Sequence, residues 1–149
     1  MVVPTGAIRD ERTSLAYAPM EYPAVATPVW QNALFDEISL LLPPDRVHRG
    51  ICWTTDVYYS DEASNKLDIW TRAKVKCVEM ESSLLFVFAH TRGLNAASIL
   101  AVDGNLHGGQ KAEQKDSSEK SGEQSPLMIE AIEKETLATV KAIDKITGA

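Results

Sequence analysis

Several things are scarce in this sequence, and each scarcity closes off a class of protein. Its 149 residues include only two cysteines, Cys52 and Cys77. They lack any C-x-x-C spacing, which argues against a disulfide scaffold or a thiolate metal knuckle; two buried thiols in a reducing compartment are expected. The three histidines, His48, His90 and His107, fall at no metal-ligand spacing, so no ligand role is assigned to them and no metal is expected. Long apolar runs are missing too. Leu84 to Ala89, among the longest, is far too short to cross a bilayer. Nothing at the start reads as a signal peptide, and the chain is expected to be soluble and cytoplasmic, with no membrane partner. Positive charge is in deficit: 15 Lys and Arg stand against 21 Asp and Glu, a net charge of −6. That balance argues against a nucleic-acid partner, which would want a basic face, while leaving a small neutral or anionic substrate open. There is no internal repeat and no Gly-rich phosphate loop.

What is present is ordinary globular composition, 44% hydrophobic and 24% charged, enough for one domain, residues 1–149, with a real core. Met1 to Pro4 reads as the tail of a strand and Thr5 to Pro23 as an ordered loop. Thr27-Pro28 opens a helix, with Thr as cap and Pro in the first turn, and Trp30, Leu34, Ile38 and Leu41 recur at helical spacing before Pro43-Pro44 ends it. His48 to Thr54 reads as a strand, Ala63 to Arg72 as a helix, Val75 to Val78 as a short strand, and Ser82 to Arg92 as a largely buried helix closed by Gly93. The apolar run Ala96 to Val102 suits a central parallel strand. Residues 104–125, poor in apolar side chains, are expected to form a mobile polar loop. Residues 126–147 form an amphipathic helix whose stripe is Ile129, Ile132, Leu137, Val140, Ala142 and Ile143. Strands alternating with helices imply an α/β layered domain with a mostly parallel or mixed central sheet flanked by helices.

The sharpest chemical feature is Val78-Glu79-Met80-Glu81-Ser82, at a strand-to-helix joint. A carboxylate there can accept hydrogen bonds from both hydroxyls of a sugar diol, while the methionine lays its apolar body against the ring. On the residues alone, acids that merely favour the helix dipole explain the motif equally well.

From Val2 to Leu106 the chain resembles the uridine and purine nucleoside phosphorylase family. The resemblance rests on Thr5 to Arg9 running to Tyr17 to Val25, on Gly50-Ile51 through Thr54 to Tyr59, on Val78 to Ser82, and on Ile99 to Asn105, in the family's order. It implies phosphorolysis of a nucleoside, with inorganic phosphate as co-substrate and no organic cofactor, giving a free base and ribose 1-phosphate. It implies that Glu81 binds the ribose hydroxyls and Met80 packs on the sugar, with Val78 and Glu79 in the same substrate-binding set. Tyr58, in the Asp-x-aromatic-Tyr segment, then stacks near the base. Asp103, in Val102-Asp103-Gly104, resembles the acid of some purine enzymes that helps protonate the leaving base; by itself, Asp-Gly is also a common turn pair.

The chain departs from the family in two ways. Ser60 to Ser64 stand where uridine enzymes carry a Gln-x-Arg pair that reads uracil, although Tyr17 to Ala24 look like the uridine branch, so substrate choice stays open. The family's phosphate-binding loop, its Arg-x-Gly-Thr-like segment and its ribose-contacting histidine all precede the point at which this sequence begins. The chain is accordingly expected to be N-terminally truncated relative to the fold, with an unpaired apolar strand edge. Arg9, Arg12, Arg46, Arg49, Arg72 and Arg92 are expected at the surface. Two alternatives to a self-sufficient uridine phosphorylase-like enzyme follow: a non-catalytic nucleoside-binding remnant, or half of a split phosphorylase. Either a homo-oligomer or a partner chain is expected.

Overall fold

The computed structural model describes residues 1–57, 61–104 and 126–148, with backbone alone for 61–65. Four strands form one sheet: β1 (Val2–Asp10), β2 (Ala24–Val25), β3 (His48–Thr55) and β4 (Cys77–Glu79), in the order β2-β1-β3-β4. β1 runs parallel to β3 and β3 parallel to β4, while β2 lies antiparallel to β1. Four helices accompany the sheet: α1 (Pro28–Leu41), α2 (Asp61–Arg72), α3 (Ser82–His90) and α4 (Pro126–Thr147). This is the expected mixed α/β layering. Tyr58 and residues 105–125 lie outside the described residues.

β1 corrects the reading of Thr5 to Asp10 as loop. It pairs with β3 along its whole length, from Val2 opposite His48 to Asp10 opposite Thr55, with a register shift between Pro4 and Gly6. Its polar end looked loop-like because its side chains have specific partners. Asp10 accepts from the Trp53 indole Nε1 at 2.9 Å and pairs with Lys66 Nζ at 2.7 Å. Gly6 is needed where β2 crosses closely: a Cβ there would sit 2.8 Å from the Ala24 carbonyl oxygen.

The expected parallel strand at Ala96 to Val102 is also corrected. In this stretch Leu100 makes the backbone bridge to the sheet, an antiparallel pairing with Val2. The main chain at Ala96 is spent on α1 instead: its N–H donates to Thr27 Oγ1 at 3.0 Å and its carbonyl accepts the Thr27 N–H at 2.7 Å. Thr27 thus ties two segments together and makes no side-chain cap to its own helix. The run is apolar because Ala97 and Ile99 pack against the core cluster of α1 and α4, and Ala96 against that of α3.

α1 starts at Pro28 and stops at Leu42, which adopts an extended conformation because the residue before a proline is excluded from helix. It buries Ala33, Leu34 and Ile38 against Ala138 and Ala142 of α4, with Val3 and Val47 completing the cluster. Small alanines let the two helices approach. The apolar stripe assigned to α4 is corrected accordingly: Ile129, Leu137, Val140 and Ile143 stay 40–51% exposed. α3 buries Phe86, Val87 and Ala89 against Ala18, Ala24, Ala26 and Ala96. It ends in a Schellman turn, with Gly93 at φ 67° and bonds from Leu94 N to Ala89 O and from Gly93 N to His90 O. α2 ends in the same way but places Lys74 at φ 63°, where a side chain is strained. The outer strands of the sheet are short, two residues in β2 and three in β4, so they cover only Gly6 and Ala7 of β1 and Cys52 to Thr54 of β3.

Arg9 is buried, against the expectation of a surface arginine. Its Nε donates to Ser14 Oγ at 2.9 Å, and its terminal nitrogens donate to the carbonyls of Ala18, Pro19 and Tyr22 at 2.5–2.9 Å. One guanidinium therefore folds residues 14–22 back onto the end of β1. Arg9→Met keeps much of the volume and orphans three carbonyls, and is expected to cost about 3 kcal/mol in urea denaturation; a loss under about 1 kcal/mol would show that the carbonyls find other partners. Lys74→Gly relieves the left-handed strain and should raise stability by about 0.5–1 kcal/mol in the same assay.

Candidate functional site

The β4–α3 joint holds two acids with different fates. Glu79, half-buried at the end of β4, turns its carboxylate into the first turn of α3. Its Oε2 accepts the amides of Glu81 at 2.9 Å and Ser82 at 2.6 Å, and its Oε1 accepts the Thr54 hydroxyl. It serves as the negative cap that an exposed helix N-terminus favours. These amides are thereby used, and α3 offers them to no external anion. Glu81 is the N-cap residue of α3 but makes no side-chain cap bond. It is exposed, and among the described residues its carboxylate has no partner. Met80 beside it is 45% exposed and Val78 half-buried.

The joint is anchored from below by a residue the sequence reading did not single out. Glu11 is only 3% exposed. Its Oε1 accepts the hydroxyls of Ser14 and Ser83, the latter at 2.8 Å, and its Oε2 accepts the Ser14 amide at 2.8 Å. Ser83 in turn donates its N–H to Thr54 Oγ1 at 3.0 Å. A continuous path of hydrogen bonds thus joins Arg9, Ser14, Glu11, Ser83, Thr54 and Glu79. The one sequence signal for it was an acid three residues before Ser14, a spacing at which a side chain can cap a following turn.

Ser82 Oγ lies 3.2 Å from Ser98 Oγ, which ties the start of α3 to the segment leading to Asp103. Asp103 is exposed, with no partner among the described residues. At the carboxyl ends of β1 and β3 a cavity of about 340 Å³ is lined by Glu11, Arg12, Met20, Asp56, Val57 and Lys66, among others. Ligands in parallel α/β sheets collect at such strand ends. Val57 in its wall directly precedes Tyr58. None of Val78 to Glu81 lines this cavity; Glu11, which does, connects it to α3.

The two cysteines sit opposite each other in the register of β3 and β4 and are free thiols. Burial, with the Glu79 charge in addition, pushes the Cys77 thiol up to about 12 and raises that of Cys52 further. Neither is a nucleophile near neutral pH. No helix among the described residues is long and apolar enough to cross a membrane.

The model of the phosphorylase superfamily matches residues 1–138. This chain belongs to that superfamily. It is 35% identical to a guanosine phosphorylase of Halorubrum lacusprofundi over 145 residues, which cover 96% of this chain and 58% of that protein. It is 32% identical to a uridine phosphorylase of Thermococcus kodakarensis, over 70% of this chain and 42% of that protein, and 31% identical to one of Treponema pallidum, over 70% and 44%. The chain thus spans about half the length of these superfamily relatives.

Burial pushes the Glu11 carboxyl up, but the hydroxyl and amide of Ser14, the Ser83 hydroxyl and the Thr13 amide outweigh it and hold it below the ordinary carboxylate range. A carboxylate that is more acidic in the folded chain stabilises the fold above its unfolded pKa, about 4.3, and that contribution is lost as pH falls through the folded value. Glu11→Gln should therefore melt below the unsubstituted chain at neutral pH, and the gap should narrow as pH falls from about 6 to about 3. A gap independent of pH would show that the charge of Glu11 contributes nothing.

Proposed function

We propose that the chain takes part in nucleoside phosphorolysis, splitting a nucleoside with inorganic phosphate into a free base and ribose 1-phosphate; the relatives named guanosine and uridine phosphorylase support this reading. The observation that carries this reading is the division of labour at the joint. Glu79 is committed to the helix amides, so Glu81 is left exposed beside Met80, its carboxylate unpaired among the described residues. A carboxylate held so, next to an apolar thioether, suits the two adjacent hydroxyls of a ribose. In this reading Glu81 accepts from the diol, Met80 and Val78 border the sugar, and Tyr58 covers the base. Asp103 donates to or shares a proton with the departing base. No metal or organic cofactor takes part.

For the base, we favour a purine nucleoside. Two observations support it: the carboxylate of Asp103, exposed and without a partner among the described residues, and the similarity to a guanosine phosphorylase over nearly the whole chain. Phosphate contacts do not come from the α3 amides, which Glu79 occupies. They come from a further segment, a second copy or a partner chain.

Incubating the chain with guanosine, inosine or uridine and phosphate tests this directly. Release of base and ribose 1-phosphate, with kcat/KM lowered about 100-fold in Glu81→Gln, is expected. Nucleoside binding without turnover supports instead a binding module or one half of a split phosphorylase. Neither binding nor turnover with any nucleoside sinks both readings.

A further inference from the structure

We infer that Glu11 is a positioning residue for Glu81, acting through Ser83. The inference rests on the ribose-binding reading of Glu81. Glu11 lines the cavity at the strand ends, yet it has no free oxygen to act there: Oε1 already takes two hydroxyls and Oε2 an amide. What it holds is the first turn of α3. Ser83 is fully buried and fixed in two directions, by its hydroxyl on Glu11 and by its amide on Thr54 Oγ1. Glu81, two residues earlier, has its own amide on Glu79 and its carbonyl accepting the Leu85 amide at 3.0 Å. The backbone of Glu81 is therefore pinned at both ends, while its carboxylate stays free. A grip on two hydroxyls at once needs that carboxylate placed to a fraction of an ångström, and a shift of the helix turn loses it. Glu11 directly follows β1 and Glu81 follows β4, so the bond through Ser83 carries the position of the end of the inner strand to the sugar site.

The test compares Kd values at neutral pH for guanosine and uridine with those for their 2′,3′-dideoxy counterparts, which lack the diol. The unsubstituted chain should bind the ribonucleosides about tenfold more tightly. Glu11→Gln and Ser83→Ala should bring that ratio to within about twofold of one while leaving dideoxynucleoside affinity nearly unchanged. Ser83→Thr, which restores the hydroxyl, should recover the ratio. Ser83→Ala leaves Glu11 its Ser14 bonds, so it decides the matter should Glu11→Gln fail to fold. If Glu81→Gln abolishes the ratio but Ser83→Ala and folded Glu11→Gln keep it, Glu11 does not position Glu81. If the unsubstituted chain binds both kinds of nucleoside equally, the ribose reading of Glu81 fails and this inference falls with it.

Discussion

The structure depends on how it keeps two carboxylates out of water. Glu11 and Glu79 lie along the ends of β1, β3 and β4, where the parallel sheet meets α3. Among the described residues neither is paired directly with a cation. Their donors are hydroxyls and backbone amides: Ser14, Ser83 and the Ser14 amide for Glu11; Thr54 and the amides of Glu81 and Ser82 for Glu79. A buried charge is tolerable when its lone pairs are filled, and each hydrogen bond to an ionised group contributes about 1.5–3 kcal/mol net. Arg9, the one buried cation among the described residues, is separated from Glu11 by a single hydroxyl, that of Ser14, which accepts from one and donates to the other. Positive charge is thus matched to negative without a direct ion pair, and three main-chain carbonyls take three more of the five guanidinium N–H groups. The arrangement is directional, and this specifies the path of the backbone more tightly than apolar packing alone.

One consequence is a geometric division between adjacent acids. Glu79 and Glu81 are two residues apart, and in a strand they would face the same way. The chain turns from strand to helix between them, and Glu79 reaches forward to cap that turn. Capping consumes Glu79 and releases Glu81. A single acid at this joint would have to choose between satisfying the helix end and meeting a ligand. Two acids flanking one methionine avoid the choice, which gives the repeated acid in the motif a physical reason independent of any relative.

The sequence showed the framework better than the connections. Helix limits that depend on proline and glycine, at Pro28, Pro43 and Gly93, were readable, since those residues act through local backbone rules. The α/β layering and the unusual character of Val78 to Ser82 were readable too. What failed was burial judged from residue type. Arg9 and Glu11 look like surface residues, and their partners are main-chain carbonyls and hydroxyls that no periodicity marks. Ala96 to Val102 looked like a central strand because apolar runs are buried in sheets and between helices alike. On α4 the expected stripe held Ala142, which is buried, but also larger apolar residues that stay exposed, and it lacked Ala138, which close approach to α1 buries. In each case the deciding contact is long-range, and a single sequence carries no record of it.

The same distinction bears on why relatives named for different nucleosides can resemble this one chain. The hydrogen-bonded path from Arg9 to Glu79 serves the sheet and the first turn of α3; on the proposed reading it presents an acid to a pentose, which guanosine and uridine share. On that reading the side chains of the path serve the pentose and not the base. On the same proposed reading, discrimination between bases falls to groups beyond the path, with Asp103 and Tyr58 as the proposed ones. A framework that recognises only the common half of its substrates can be kept intact while the base-facing segments change. Similarity spread over the framework therefore establishes the superfamily firmly and leaves base preference to a few residues at its edge.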